Sequence, residues 1–205
     1  MRKLFLDIET IPADESKYEI LKEIHARRLK NHKSTATKPP ETFEEYLEST
    51  GLDGSFGRIC CLCYAIDDEP VVPLYGDESR ILVEFWKVAE KVDLFVGFNV
   101  IDFDLKFIYQ RSVILGVKPS RQLNFARYRN DPIYDIMWEW SKWSNSRVSL
   151  DTLARAMGIP SSKGGEIEGR NVAQAYRDGR LKEICDYCVK DVEVTRALYK
   201  RVTFS

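Results

Sequence analysis

Apolar residues recur along this chain with two alternating periods, one of about two and one of about three and a half, and the switches between them mark successive strands and helices. Leu4-Phe5-Leu6 and Ile8 form the short apolar run of a buried strand. After Pro12 and Ala13, the segment from Asp14 to Lys33 carries Tyr18, Ile20, Leu21, Ile24 and Leu29 at roughly helical spacing, which predicts an amphipathic helix. Ser34 to Pro40 reads as a linker, Glu41 to Leu47 as a second short helix, and Gly51 to Gly57 as a glycine-rich loop. Residues 13–57 therefore form a helical insertion between two strands. Arg58 to Ile66 and Val71 to Tyr75 are β-prone runs joined by Asp67-Asp68-Glu69-Pro70, the pattern of a hairpin.

Further on, Ser79 to Glu90 presents Ile81, Leu82, Phe85, Trp86 and Val88 as a helical face, and Asp93 to Phe98 is another buried strand. Asp102 to Leu115 returns to helical periodicity and stops at Gly116, a C-terminal cap. Ile133 to Ile136 reads as a short strand, Ser149 to Met157 as a helix capped by Gly158, and Asn171 to Arg177 as a brief helix ended by Gly179. The last helix, Leu181 to Val202, has Leu181, Ile184, Cys185, Cys188, Val192, Thr195, Leu198 and Val202 on one stripe. Strands alternating with helices, plus one hairpin, define an α/β protein with a mixed sheet.

Composition narrows the function little. Of 205 residues, 44% are hydrophobic, enough for a sizeable core within one domain spanning 1–205. Lys and Arg total 31 against 32 Asp and Glu, so any nucleic acid must be held by local basic patches or metal rather than by the overall field. Asp7 and Glu9 cut the first apolar run too short for a signal peptide, and no run reaches transmembrane length. Five cysteines without a secretory signal point to reduced thiols and a cytoplasmic setting, with no membrane partner.

The chemistry starts in the first strand. Asp7 and Glu9 stand two positions apart in Leu4-Phe5-Leu6-Asp7-Ile8-Glu9-Thr10, so both carboxylates face the same side of a strand whose flanks are apolar. Buried charges need partners, and a divalent metal is the natural one for two acids on one face. Asp104 stands just after the Asp93 to Asn99 strand, and Tyr187 and Asp191, at i and i+4, share a helix face. Four carboxylates and one phenol are thus available at element ends.

Three fragments, Asp7-Ile8-Glu9-Thr10, Asn99-Val100-Ile101-Asp102-Phe103-Asp104 and Tyr187-Cys188-Val189-Lys190-Asp191, resemble in order the exonuclease motifs of the DEDD superfamily. The Asn-x-x-x-Phe-Asp pattern is similar to the proofreading domain of family B DNA polymerases and to predicted stand-alone 3'-5' exonucleases related to it. Tyr187 four residues before Asp191 marks the tyrosine-type (DEDDy) branch; the histidine-type branch has His at the position that Asp186 fills. The resemblance implies a ribonuclease H-like sheet flanked by helices, with the insertion after its first strand, and a metal-dependent 3'-5' exonuclease releasing nucleoside 5'-monophosphates. It implies Asp7, Glu9, Asp104, Tyr187 and Asp191 as catalytic, and Asp7, Glu9, Asp104 and Asp191 as ligands of two ions, with Thr10, Asn99 and Phe103 meeting the substrate.

Elementary chemistry is compatible with that scheme. Two metals roughly 3.5 to 4 Å apart clamp the attacking and leaving oxygens of a displacement at phosphorus. Oxygen ligands without a nearby His suit Mg²⁺ or Mn²⁺ better than zinc. The expected partner is the 3' end of single-stranded DNA. RNA is an alternative substrate, because the motifs bind phosphate and do not read the 2'-hydroxyl; a non-catalytic end-binding or polymerase accessory module is an alternative function.

Other residues carry weaker signals. Arg27, Arg28, Lys30, His32, Lys33 and Lys38 form a basic cluster in the insertion that either holds substrate upstream of the cut or makes a solvated face, and His25 and His32 are expected to face solvent. Arg121, Arg127 and Arg129 interleave with Phe125 and Tyr128, a mixture suited to a strand of nucleic acid or to a plain loop. Lys163-Gly164-Gly165 can bring amides near a phosphate. Trp138, Trp140 and Trp143 read as core or interface aromatics, and Asp135 and Asp151 as structural acids. Cys60-x-x-Cys63 and Cys185-x-x-Cys188 each lie inside a regular element rather than on a knuckle loop, which favours buried thiols over a four-thiolate zinc site.

Overall fold

A computed structural model describes residues 1–30 and 41–205. Five strands, β1 (Lys3–Ile11), β2 (Arg58–Ile66), β3 (Val72–Tyr75), β4 (Leu94–Gly97) and β5 (Ile133–Asp135), form one mixed sheet in the order β3-β2-β1-β4-β5. β1, the apolar run with two acids, lies at its centre. It pairs antiparallel with β2 and parallel with β4, and β4 pairs parallel with β5.

Register decides what shares a face. Asp7 lies opposite Cys63 and Glu9 opposite Cys61, so these four side chains project to the same side. That side is covered by α8 (Leu181–Thr203), whose Ile184, Cys185, Cys188, Val192 and Leu198 pack with Phe5, Cys61, Cys63, Ala65, Leu94 and Val96. The opposite side carries Leu4, Leu6, Ile8, Leu62 and Ile66 against α3 (Glu78–Ala89) and α4 (Asp104–Ile114). The shorter helices α5 (Ile136–Ser141), α6 (Leu150–Ala156) and α7 (Val172–Arg177) bring Ile136, Leu153, Ala154, Val172 and Ala175 into the layer under α8.

The helical segment after β1 contains α1 (Tyr18–Lys30) and α2 (Phe43–Ser49), with a small apolar cluster of its own around Ala13, Leu21 and Tyr46. Thr42 and Glu45 cap α2 reciprocally, side chain to backbone in both directions. His25, expected to face solvent, is instead buried: its ring stacks on Tyr46 at 5.4 Å and its Nε2 lies 2.8 Å from the Glu41 carbonyl. The aromatic partner comes from a different helix, which periodicity within α1 does not show. The helix end expected at Lys33, the linker Ser34 to Pro40, and His32, Lys33 and Lys38 lie outside the described residues. Among the described residues no helix is long and apolar enough to cross a membrane.

Candidate active site

The parallel strands β1, β4 and β5 end at one edge of the sheet, and the acids collect there. β4 pairs with β1 only from Lys3 to Phe5 and ends at Gly97, so among the described residues the second half of β1 has no strand neighbour on that side. The gap is filled by the first residue of α4: Asp104 Oδ1 accepts the Ile8 amide at 3.0 Å. One hydrogen bond thus fixes the Asp104 carboxylate against the strand that carries Asp7 and Glu9.

The turn between β4 and α4 is built for this placement. Asn99 adopts a left-handed backbone, φ 61°, which Asn tolerates better than most residues. Gly97 lets Val100 close over the strand end, since a Cβ at 97 would lie 2.5 Å from the Val100 Cβ. Asp135, at the end of β5 and buried, anchors the turn through amides of Asn99 and Ile101, both at 3.0 Å, and caps α5 through Met137 and Trp138. It also adds negative charge beside Asp104. As expected of a structural acid, it acts on the backbone, although its reach to the second motif required the β4–β5 register to become visible.

α8 supplies the third component. Asp191 is buried, and the Tyr187 hydroxyl one turn earlier, with Ser162 and the Lys163 cation from the preceding loop, favours its ionised form. Burial outweighs these and raises its pKa all the same. Among the described residues, the buried Asp191 Oδ1 has no hydrogen-bond partner, and neither has Asn99 Oδ1.

The four carboxylates share one electrostatic environment. Burial raises the pKa of Asp7 strongly, and Asp104, Glu9 and Asp191 raise it further, while the Cys188 thiol works in the opposite direction. Burial likewise raises Glu9, with Asp191 and Asp104 adding to it. Asp104 is pushed up to about 7 by burial, against the lowering effect of the Ile8 amide. Among the described residues no Lys, Arg or His nitrogen lies within 4.0 Å of any of the four. Buried acids that repel one another with no cation at ion-pair distance, one of them with a partnerless oxygen, are the donor set a hard divalent cation fits.

Tyr187 stands beside this cluster, its hydroxyl near Asp191, and burial with the charges of Asp191, Glu9 and Asp7 raises its pKa so that it stays protonated at neutral pH. Phe103 is half-buried and packs against Phe107 with ring centroids 5.7 Å apart. Thr10 uses its hydroxyl locally, donating to the Gly51 carbonyl at 2.6 Å. Ser162 carried no sequence signal. Lys163 was visible only as part of a glycine-rich loop, and nothing local pairs it with Asp191.

The insertion's arginines have partners of their own. Arg28 lies over the Tyr46 ring at 4.5 Å and Arg27 approaches Glu23 at 4.0 Å. Arg127 approaches Asp102 at 3.4 Å and lies over the Trp138 ring at 5.5 Å. Trp138 is buried, Trp143 stacks on it at 5.5 Å, and Trp140 is exposed.

A mixed sheet flanked by helices, in the order β3-β2-β1-β4-β5 with β1, β4 and β5 parallel, is a ribonuclease H-like fold. The family model described as a predicted 3'-5' exonuclease related to the exonuclease domain of PolB matches residues 65–205, and the chain belongs to that family of 3'-5' exonucleases. The match includes Asp104, Tyr187 and Asp191 but not β1 with Asp7 and Glu9. Among solved structures, the family B DNA polymerase from the hyperthermophilic archaeon Pyrobaculum calidifontis superposes with a TM-score of 0.66 at 18% identity, over 99% of this chain and 24% of that one. The chain therefore spans about a quarter of that polymerase. No curated protein matches the sequence.

Proposed function

We propose that this chain removes nucleotides from the 3' end of single-stranded DNA as nucleoside 5'-monophosphates, with residues 1–205 acting as one exonuclease domain and 13–57 as an insertion in it. The convergence of Asp7, Glu9, Asp104 and Asp191 without a cation among them carries the proposal.

In this reading Asp7, Glu9 and Asp191 would hold one Mg²⁺ or Mn²⁺, and Asp104 with Asp7 would hold a second. When bound, such ions offset phosphate charge and support attack and departure at phosphorus. The chain's own residues do the rest. Asp104 stays aimed at β1 because the Ile8 amide holds one of its oxygens. Tyr187, protonated at neutral pH, donates a hydrogen bond that orients the attacking water. The partnerless Oδ1 of Asn99 and the ring of Phe103 meet the terminal nucleotide. Thr10 joins them by exchanging its bond to Gly51 for one to substrate.

Upstream of the terminal nucleotide, a groove of about 880 Å³ begins at Ile101 and Asp102, just before Asp104. Lys106, Tyr109, Lys118, Arg121, Phe125 and Arg127 line it, so cations for phosphates and rings for bases share one groove. This groove supports a single strand running away from the carboxylates along α4.

Digestion of end-labelled single- and double-stranded DNA and RNA, with Mn²⁺ or with EDTA, tests the proposal. A ladder shortening from the 3' end of single-stranded DNA, abolished by EDTA, is expected. Shortening from the 5' end, cutting of a circular single strand, or undiminished cleavage in EDTA contradicts it.

A further inference from the structure

The face of the sheet that carries Asp7 and Glu9 also carries a second donor set, of opposite chemical character. Cys61 and Cys63, two apart on β2, share a face, whereas Cys60 and Cys63 are three apart in a strand and do not form the pair their spacing suggests. The Cys61 and Cys63 sulfurs are 3.6 Å apart, and with the Cys188 sulfur from α8 the three lie within 4.8 Å of one another. All three are free thiols, and each is 0% exposed.

Cys188 links this cluster to the carboxylates. Its thiol donates to the Asp7 carbonyl and to Asp7 Oδ2, both at 3.4 Å, and its sulfur lies within 4.8 Å of donor atoms of both Asp7 and Glu9. A hard donor set and a soft one therefore share a boundary at Asp7 and Cys188. Asp7 is only partly buried, so its carboxylate is the exposed end of a donor set whose thiols are otherwise closed in.

We propose that Cys61, Cys63 and Cys188 bind a thiophilic divalent cation of the Zn²⁺ class, with the Asp7 carboxylate as fourth ligand, and that its binding shuts off the exonuclease. Zinc holds thiolates at about 2.3 Å, which places tetrahedral sulfurs about 3.8 Å apart, close to the separation already present between Cys61 and Cys63. Thiolates select zinc over magnesium, so the hard metals of the proposed reaction do not compete for this site. Binding replaces the three thiol protons, which leave to solvent, and no electron is transferred. Inhibition follows because Asp7 is drawn towards sulfur. That inhibition rests on the proposed role of Asp7 in hydrolysis, whereas the binding itself does not.

Cd²⁺ is a suitable probe, because its thiolate complexes absorb in the ultraviolet. Titrating the reduced, full-length chain should give a saturable thiolate-to-cadmium absorption at one ion per chain. Cys63→Ser and, separately, Cys61→Ser should weaken binding by more than about 100-fold, beyond the 10–100-fold typical of outer-shell changes. Both should retain Mn²⁺-dependent activity. Cys60→Ser, whose thiol only donates to the Glu9 carbonyl at 3.3 Å, should bind as the wild type does. Zn²⁺ added to the Mn²⁺ reaction should inhibit the wild type at one equivalent and Cys63→Ser only at far higher concentration. Absence of the absorption in the wild type, or its persistence in both variants, overturns the site. Saturated binding with unchanged Mn²⁺-dependent hydrolysis overturns the inhibition. If the wild type hydrolyses nothing in Mn²⁺, the exonuclease proposal fails while the cadmium titration still decides the thiol site.

Discussion

Asp104 shows how one side chain serves two purposes at this site. Its oxygen on the Ile8 amide aligns β1 with α4, and its charge repels Asp7 and Glu9. Asp104→Ala and Asp191→Ala should each abolish hydrolysis while far-ultraviolet circular dichroism stays unchanged; near wild-type turnover in either would remove it from the proposed ligand set. Tyr187→Phe removes one hydrogen bond and should slow hydrolysis by roughly 10- to 1000-fold, the range for one positioned polar group. A fully active Tyr187→Phe would reduce this residue to packing. Asp135→Ala acts through position alone: it strands four amides, of Asn99, Ile101, Met137 and Trp138, and should cost at least about 3 kcal/mol in urea unfolding. At this scale the acids of the candidate site were legible, because Asp7 and Glu9 interrupt an apolar strand and Asp191 stands four residues after the Tyr187 phenol on one helix face. Ser162 was not, since a lone serine in a loop carries no period and its neighbour Asp191 comes from another element.

At the scale of elements, periodicity found the strands and the helices apart from α5, which starts where the expected strand Ile133 to Ile136 ends, and element ends shifted where capping decides them. The helix expected from Asp102 begins at Asp104, because residues 99–103 form the turn that Asp135 and Gly97 hold. What periodicity could not give is register. Cys61 and Cys63 share a face by their spacing on β2, but their place beside the acids depends on Asp7 lying opposite Cys63 and Glu9 opposite Cys61, a fact of strand pairing. The close approach at Gly97 makes the turn itself testable. Gly97→Ala should destabilise by about 1–3 kcal/mol through overpacking against Val100. Adding Val100→Ala should recover part of that loss, as contacting residues couple in double-mutant cycles. Strict additivity of the two would refute the proposed packing of strand end on turn.

For the molecule as a whole, burial and neighbouring acids together raise the pKa values of Asp7 and Glu9, and in the proposed reading a divalent ion relieves that cost. The raised pKa of Asp104, about 7 when folded, means that the folded state holds its proton more tightly than the unfolded chain does. Its favourable contribution is therefore complete below the unfolded carboxylate range and is lost as pH rises through about 7. Without metal, the melting temperature should fall between pH 5 and pH 8, and Mn²⁺ should offset the fall at pH 8; a metal-free protein equally stable at both would show that burial and neighbouring charge do not raise the Asp104 pKa. Upstream, replacing Lys106 and Lys118 by Gln should raise KM for single-stranded DNA and flatten its salt dependence, because fewer counterions are released on binding. An unchanged salt slope would exclude the groove as the substrate path. The converging carboxylates are the centre of the account, and one pair of melting curves tests them most directly: wild type and Asp191→Asn, each with and without Mn²⁺ at pH 8. A hundredfold excess over Kd stabilises by about 2.7 kcal/mol, a rise of roughly 5–10 °C for a domain of this size. The account predicts that rise in the wild type, a smaller one in Asp191→Asn, and a metal-free Asp191→Asn that melts above metal-free wild type. A wild type unmoved by saturating Mn²⁺, or an Asp191→Asn that keeps the full rise, would contradict it.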